Sequence, residues 1–158
     1  MNSIDFKTFV KTGKLLGLDF GKSTVQELFT VMGSTDDKAD FQDTVIYHYG
    51  WYEFYVWKSS GILYAFQNDH LISDCRNHNE LIAFKNHKVH LEPWFVQKDQ
   101  NVSFHQLKQL LQEQEIDYKA YQNKYQTQII ELNTNITFDF DTFQGQLVVN
   151  AIRLFTYE

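Results

Sequence analysis

One supersecondary pattern occurs twice along this chain, and the recurrence limits its possible folds more than any other feature. Ser23-Thr24-Val25-Gln26 and Ser103-Phe104-His105-Gln106 both fit a Ser-x-x-Gln capping box. In that motif the serine oxygen takes the amide three residues on, and the glutamine reaches back to the cap amide. Val25, Leu28, Phe29 and Met32 follow the first box, and Phe104, Leu107, Leu110 and Leu111 follow the second. Spacing of three and four puts each set on one helix face. Gly33 stands where the first helix should stop.

A polar stretch follows each helix, residues 34–43 in the first half and about 114–126 in the second, and both read as irregular. Strand-like runs come next. Thr44-Val45-Ile46-Tyr47 corresponds to Thr127-Gln128-Ile129-Ile130-Glu131-Leu132, both rich in β-branched residues. Tyr52, Phe54 and Val56 alternate like Ile136, Phe138 and Phe140, so each triplet points to one face of a strand. A turn ending at Gly61 or Gly145 leads into Ile62-Leu63-Tyr64-Ala65-Phe66 or Leu147-Val148-Val149-Asn150-Ala151-Ile152. The offset between copies is 84 residues from Tyr52 to Gly61 and 80 at the caps, so the polar stretch absorbs the difference.

The expected architecture is therefore α+β. Two units, each a helix plus a three-stranded antiparallel meander, cover about residues 18–66 and 98–155, with the helices packed on the sheet. Residues 4–16 read as a short N-terminal helix broken at Gly13. The connector, residues 68–95, holds a hairpin with Lys85-Asn86-His87-Lys88 between Leu81-Ile82-Ala83-Phe84 and Val89-His90-Leu91. At 158 residues the chain is one domain in length. Neither half reaches the size at which a core becomes comfortable alone.

Composition excludes several function classes. Fourteen Lys plus Arg against twenty Asp plus Glu give a charge of −6, which argues against a nucleic-acid partner, since phosphate neutralisation needs Lys and Arg. One cysteine excludes a disulfide framework and a cysteine-based zinc finger. No apolar run approaches bilayer length, so no membrane is expected. The first seven residues do not read as a secretory leader, and an unpaired Cys75 fits a reducing compartment, so the expected location is the cytoplasm.

Six histidines invite a metal reading. His70, Asp74 and His78 would align on a helix, but no His-Glu-x-x-His or paired-cysteine spacing occurs, so no metal and no cofactor are expected and the histidines read as solvated loop residues. Cys75 lies between Asp74 and Arg76, whose effects on a thiolate oppose each other. Gly17-Leu18-Asp19-Phe20-Gly21-Lys22-Ser23 imitates a phosphate loop, but its glycines are four apart and Phe20 fills the cradle. Asp139 and Asp141 share one strand side, a pattern that serves acid–base work or plain solvation. No catalytic residue is assigned.

Two features point to a contact surface instead. Residues 36–43 carry four aspartates, Asp36, Asp37, Asp40 and Asp43, against Lys38, a net −3 suited to steering a basic partner. With Tyr52, Phe54 and Val56 facing inward, Trp51, Tyr55 and Trp57 face either solvent or a second core. Trp and Tyr are the residues enriched at interface hot spots.

The first half also carries a recognisable pattern. Leu18-Asp19-Phe20-Gly21-Lys22-Ser23-Thr24-Val25-Gln26-Glu27-Leu28, then Met32-Gly33, then Tyr49-Gly50-Trp51-Tyr52-Glu53-Phe54, resembles small bacterial immunity proteins of contact-dependent inhibition and other polymorphic toxin systems. The match covers about residues 18–66. The resemblance implies a cytoplasmic, non-enzymatic protein that binds and blocks one cognate toxin domain, and it brings no catalytic residue. An acidic, aromatic-rich domain suits a basic nuclease-type toxin, which would dock on Asp36, Asp37, Asp40 and Asp43 and on Trp51, Tyr55 and Trp57. The alternatives are a small-molecule-binding or hydrolytic domain using the aromatic groove and connector histidines, and a structural or adaptor subunit.

Overall fold

The structure is a computed structural model that describes residues 2–4, 6–74 and 76–156, with side chains from Phe6 onward. The helices are α1 (Lys7–Thr12), α2 (Val25–Met32), α3 (His78–Ile82) and α4 (Phe104–Glu113). The strands are β1 (Asn2–Ile4), β2 (Lys14–Leu15), β3 (Leu18–Asp19), β4 (Lys38–Asp40), β5 (Thr44–Tyr49), β6 (Tyr52–Trp57) and β7 (Leu63–Asn68). They continue with β8 (Phe84–Lys85), β9 (Val89–Leu91), β10 (Tyr118–Gln122), β11 (Gln128–Leu132), β12 (Ile136–Phe143) and β13 (Gln146–Phe155). The fold is α+β with a mostly antiparallel sheet.

Eight strands form that sheet in the order β10-β11-β12-β13-β7-β6-β5-β4. It consists of two meanders joined edge to edge where β13 pairs antiparallel with β7, from Ile152 opposite Asn68 to Phe155 opposite Ala65. Each meander has four strands rather than the expected three. The stretches read as irregular contain β4 and β10, which pair antiparallel with β5 and β11. Both are edge strands with mostly exposed side chains, so they lack the apolar alternation that reveals a strand facing a core.

The helix caps connect to the sheet in matching ways. Leu63 N–H, at the start of β7, donates to Ser23 O at 2.8 Å; Val149 N–H, in β13, donates to Val102 O at 2.8 Å. Ser23 and Val102 each immediately precede a helix cap. The second capping box is the expected one, Ser103 with Gln106. The first lies one residue later than expected. Thr24 Oγ1 accepts from Glu27 N–H at 3.3 Å, and Glu27 Oε2 accepts from Thr24 N–H at 3.0 Å. Ser23 instead accepts Asp19 N–H at 2.9 Å. Both frames satisfy the capping pattern, and Glu27 adds a charge favourable at a helix start.

Along the inner face the cross-strand partners run Tyr47, Phe54, Phe66, Leu154 and Ile136 across β5, β6, β7, β13 and β12. Helix rings pack against this side, Phe29 edge-on to Tyr47 at 5.1 Å and Phe104 edge-on to Phe140 at 5.1 Å. Residues from α1, α2, α3, α4 and both meanders share one apolar cluster. The N-terminal segment is helical only over Lys7–Thr12: Gly13, in the left-handed region (φ 75°), breaks it as expected, but Ile4 belongs to β1 and Lys14-Leu15 form β2. The connector hairpin is β8 and β9, but Leu81 and Ile82 belong to α3. The fully buried Tyr52 hydroxyl donates to Ile82 O, and Asn68 Nδ2 donates to Leu81 O at 2.8 Å, tying α3 to the sheet.

The cap assignment is testable by urea unfolding. Glu27→Ala and Thr24→Ala should each lower stability by about 1 kcal/mol. Gln26→Ala should change it by less than about 0.5 kcal/mol. The reverse order would return the cap to Ser23 and Gln26.

Candidate functional site

The outer face of the sheet carries a polar row one residue out of phase with the inner one. His48, Glu53, Gln67, Arg153 and Thr137 are successive cross-strand partners on β5, β6, β7, β13 and β12. Gln67 Nε2 donates to Glu53 Oε1 at 3.0 Å, Arg153 Nη1 donates to Gln67 Oε1, and Arg153 Nε donates to Asp139 Oδ2 at 2.9 Å. Gln67 is only 7% exposed, so these bonds supply the partners that its buried amide requires. Asp139 is thus the counter-ion of Arg153, while Asp141 Oδ1 accepts Thr142 N–H at 2.8 Å. The two carboxylates do not act as one site.

Beside this row lies an aromatic one. Trp57 stacks on Tyr64 at 3.8 Å with planes 12° apart, and Tyr55 lies 6.0 Å from both Tyr64 and Phe155. Burial, reinforced by the charges of Glu53 and Asp69, pushes the Tyr55 hydroxyl up to about 12, so it remains a neutral phenol at physiological pH. Tyr55 and Trp57 are half-buried within the sheet face rather than free. Trp51 is not in line with them. It occupies the two-residue turn between β5 and β6 and is 46% exposed.

Gly50 shapes that turn. Its φ is +62°, and a Cβ there would lie 3.2 Å from Phe84 Cδ2. Both the backbone conformation and the close ring demand glycine. Trp51 then sits edge-on to His70, with ring centroids 4.5 Å apart. Asp37, His48, Gly50, Trp51, Glu53 and His70 line a cleft of about 520 Å³. His48 Nδ1 is 3.3 Å from Asp37 Oδ1 and Nε2 is 3.7 Å from Glu53 Oε2. The Asp37 approach has ion-pair distance without hydrogen-bond alignment, so Nδ1 is buried with no hydrogen-bond partner among the described residues.

The acidic segment is structured rather than loose. Asp40 ion-pairs with Lys58, and the hydrogen bond from that ammonium holds the Asp40 carboxyl below its usual range. Asp43 Oδ1 accepts from Thr44 Oγ1 at 3.3 Å. Asp36 and Asp37 are exposed, and between Asp40 and Asp43 Phe41 is 54% exposed. Nothing in the sequence marks Phe41, because an isolated aromatic in a polar stretch has no periodicity to reveal it.

The other candidates have structural employment. Gly21 N–H donates to Leu63 O, and Lys22 and Ser23 N–H donate to Asp19 O, so the phosphate-loop imitation spends its amides internally. His70 and Asp74 precede α3, which begins at His78, so the helical alignment of His70, Asp74 and His78 does not form. His78 is wholly buried rather than solvated. Its Nδ1 accepts Asp99 N–H at 2.8 Å and its Nε2 donates to Leu71 O at 2.9 Å, which defines a neutral tautomer clasping two loops. Cys75 lies outside the described residues. Among the described residues no three His, Cys, Asp or Glu side chains are placed to hold a metal, and no helix is long and apolar enough to cross a membrane. Comparison with family models, curated proteins and solved structures finds no match.

His78→Ala should cost about 2 kcal/mol by removing a wholly buried ring and leaving the buried Leu71 carbonyl without its partner. His87→Ala, on the exposed hairpin turn, should be nearly neutral in the same denaturation experiment.

Proposed function

We propose that this chain is a non-catalytic inhibitor that binds a basic toxin domain, as the resemblance to immunity proteins implies. One observation carries the reading. Trp51 is exposed beside Asp37 and Glu53 at one end of β5, and Phe41 is exposed between Asp40 and Asp43 at the other end of the same strand. Exposed aromatic anchors within a field of one sign suit a partner of the opposite sign.

We also read the two halves as one repeated unit, supported by matching cap-to-strand bonds, helix-to-sheet ring contacts and meander order. The halves differ in charge. Residues 36–43 carry −3, whereas residues 117–124 around β10 carry two lysines and one aspartate, +1. The acidic end thus belongs to the first unit alone, which favours one docking end over two. Tyr55 and Trp57 are stacked within the face, so the anchors are Trp51 and Phe41. The hydrolytic alternative has less support, because both nitrogens of His78 are committed to the backbone.

The test is capture of the tagged chain from its native cell, followed by a toxicity or nuclease assay with the captured partner. A one-to-one complex with a basic toxin domain, silenced at stoichiometric ratio, is expected. Lysine at both Asp36 and Asp37 should slow association about tenfold and flatten its salt dependence. Trp51→Ala should raise the off-rate about thirtyfold, equivalent to about 2 kcal/mol. A partner without toxin activity, or binding indifferent to both changes, overturns the reading.

A further inference from the structure

The cleft beside Trp51 has a composition more specific than a generally acidic surface. Its lining includes two carboxylates, two imidazoles and an exposed indole, with neither Lys nor Arg. Glu53 is held in place from behind, since Gln67 grips one of its oxygens and is itself gripped by Arg153, which is anchored on Asp139. Such a carboxylate is oriented before any partner arrives, so ordering it on binding costs little.

The polar groups of the cleft are also incompletely satisfied. His48 stands between the two carboxylates, Nδ1 3.3 Å from Asp37 and Nε2 3.7 Å from Glu53, without satisfying both. Its Nδ1 makes no hydrogen bond among the described residues although the atom is buried. Several acceptors therefore converge where donors are scarce. The missing chemistry is a flat, multiply donating cation. A guanidinium presents five N–H donors in a planar fork and also stacks on aromatic rings. An ammonium supplies the charge without the plane.

We propose that this cleft receives an arginine side chain of the partner, its guanidinium against the Trp51 indole and its N–H groups directed to Glu53 and Asp37. The assignment rests on the reading of a basic protein partner and adds which side chain that partner inserts, and where.

The test uses the full chain and the indole N–H resonances of its three tryptophans, Trp51 being assigned through Trp51→Phe. The probe is a capped peptide with three arginines separated by glycines, beside the same peptide with citrulline or with lysine. Citrulline keeps the planar shape and removes the charge. The arginine peptide should move the Trp51 resonance and leave those of Trp57 and Trp94 in place. Citrulline should produce no shift, and lysine should bind more weakly than arginine.

Glu53→Gln, whose amide oxygen can still accept from Gln67, should weaken arginine-peptide binding about tenfold. Unmoved Trp57 and Trp94 resonances will show that this variant is folded. A silent Trp51, an equal response to citrulline or lysine, or a folded Glu53→Gln variant binding as before overturns the assignment. The peptide assay is independent of toxin capture. A toxin bound and blocked with Trp51 silent removes the arginine cleft and keeps the inhibitor reading, whereas a responsive Trp51 without any captured toxin does the reverse.

Discussion

The pairing of β7 with β13 is the constraint on which the rest of the molecule depends. Each four-stranded meander has one apolar face that a single short helix only partly covers. Joining the meanders at this seam places Phe66 opposite Leu154, so the inner rows of both halves become one continuous apolar surface. A slip of one residue would turn every inner side chain of one half outward. The register is therefore pinned from several sides. Gln67 and Arg153 are hydrogen-bonded across the outer face, and the Thr156 hydroxyl donates to Tyr64 O at 2.7 Å. Leu71 N–H also reaches Asn150 O at 3.1 Å just beyond the pairing. A buried glutamine at a strand junction is costly unless satisfied, and here its amide supports both Glu53 and the seam.

Much of this arrangement was legible in the residues. Alternation found β6 and β12 with the correct buried rows, because Tyr52, Phe54 and Val56 answer to a core on one side only. The helix stripes and the Gly33 stop were legible for the same reason: each is set by neighbours within one turn. The edge strands were not. Lys38-Ala39-Asp40 becomes a strand only because β5 offers it a ladder, and no local pattern records that offer. The capping box shifted because Ser23 and Thr24 both present suitable hydroxyls. What separates them is Asp19 N–H, a tertiary claim on Ser23 that lies outside the motif.

The candidate site follows the same division. Its acidic and aromatic content could be read along the chain, but its geometry depends on contacts distant in sequence. Alternation along the sequence groups Trp51 with Tyr55 and Trp57. The two-residue turn breaks that alternation, and Phe84, thirty-four positions beyond Gly50, makes the turn tight. The partner of Glu53 is Gln67, whose own partner comes from the other half of the chain. The orientation of the acidic cleft is therefore a consequence of the seam, and mechanical disturbance of the β7–β13 pairing would reach Glu53 through two hydrogen bonds.

Charge at the end of a sheet has a second physical meaning, since charged residues on an edge strand discourage sheets from pairing with one another. Lys38 and Asp40 on a three-residue β4 perform that service, Asp40 while ion-paired with Lys58. At the opposite edge Lys119 stands in β10 and Lys124 lies 5.0 Å from the ring centroid of Tyr125. Edge protection accounts for short strands and dispersed charge, and it applies equally to both ends. It does not account for an indole fixed against His70 above a pre-oriented glutamate. Holding that tryptophan requires a left-handed glycine packed on Phe84, and holding the glutamate requires a hydrogen-bonded row spanning four strands. Solubility at a sheet edge needs neither order nor aromatic exposure, whereas the proposed docking needs both, and among the described residues the Trp51 turn sets both beside the carboxylates of Asp37 and Glu53.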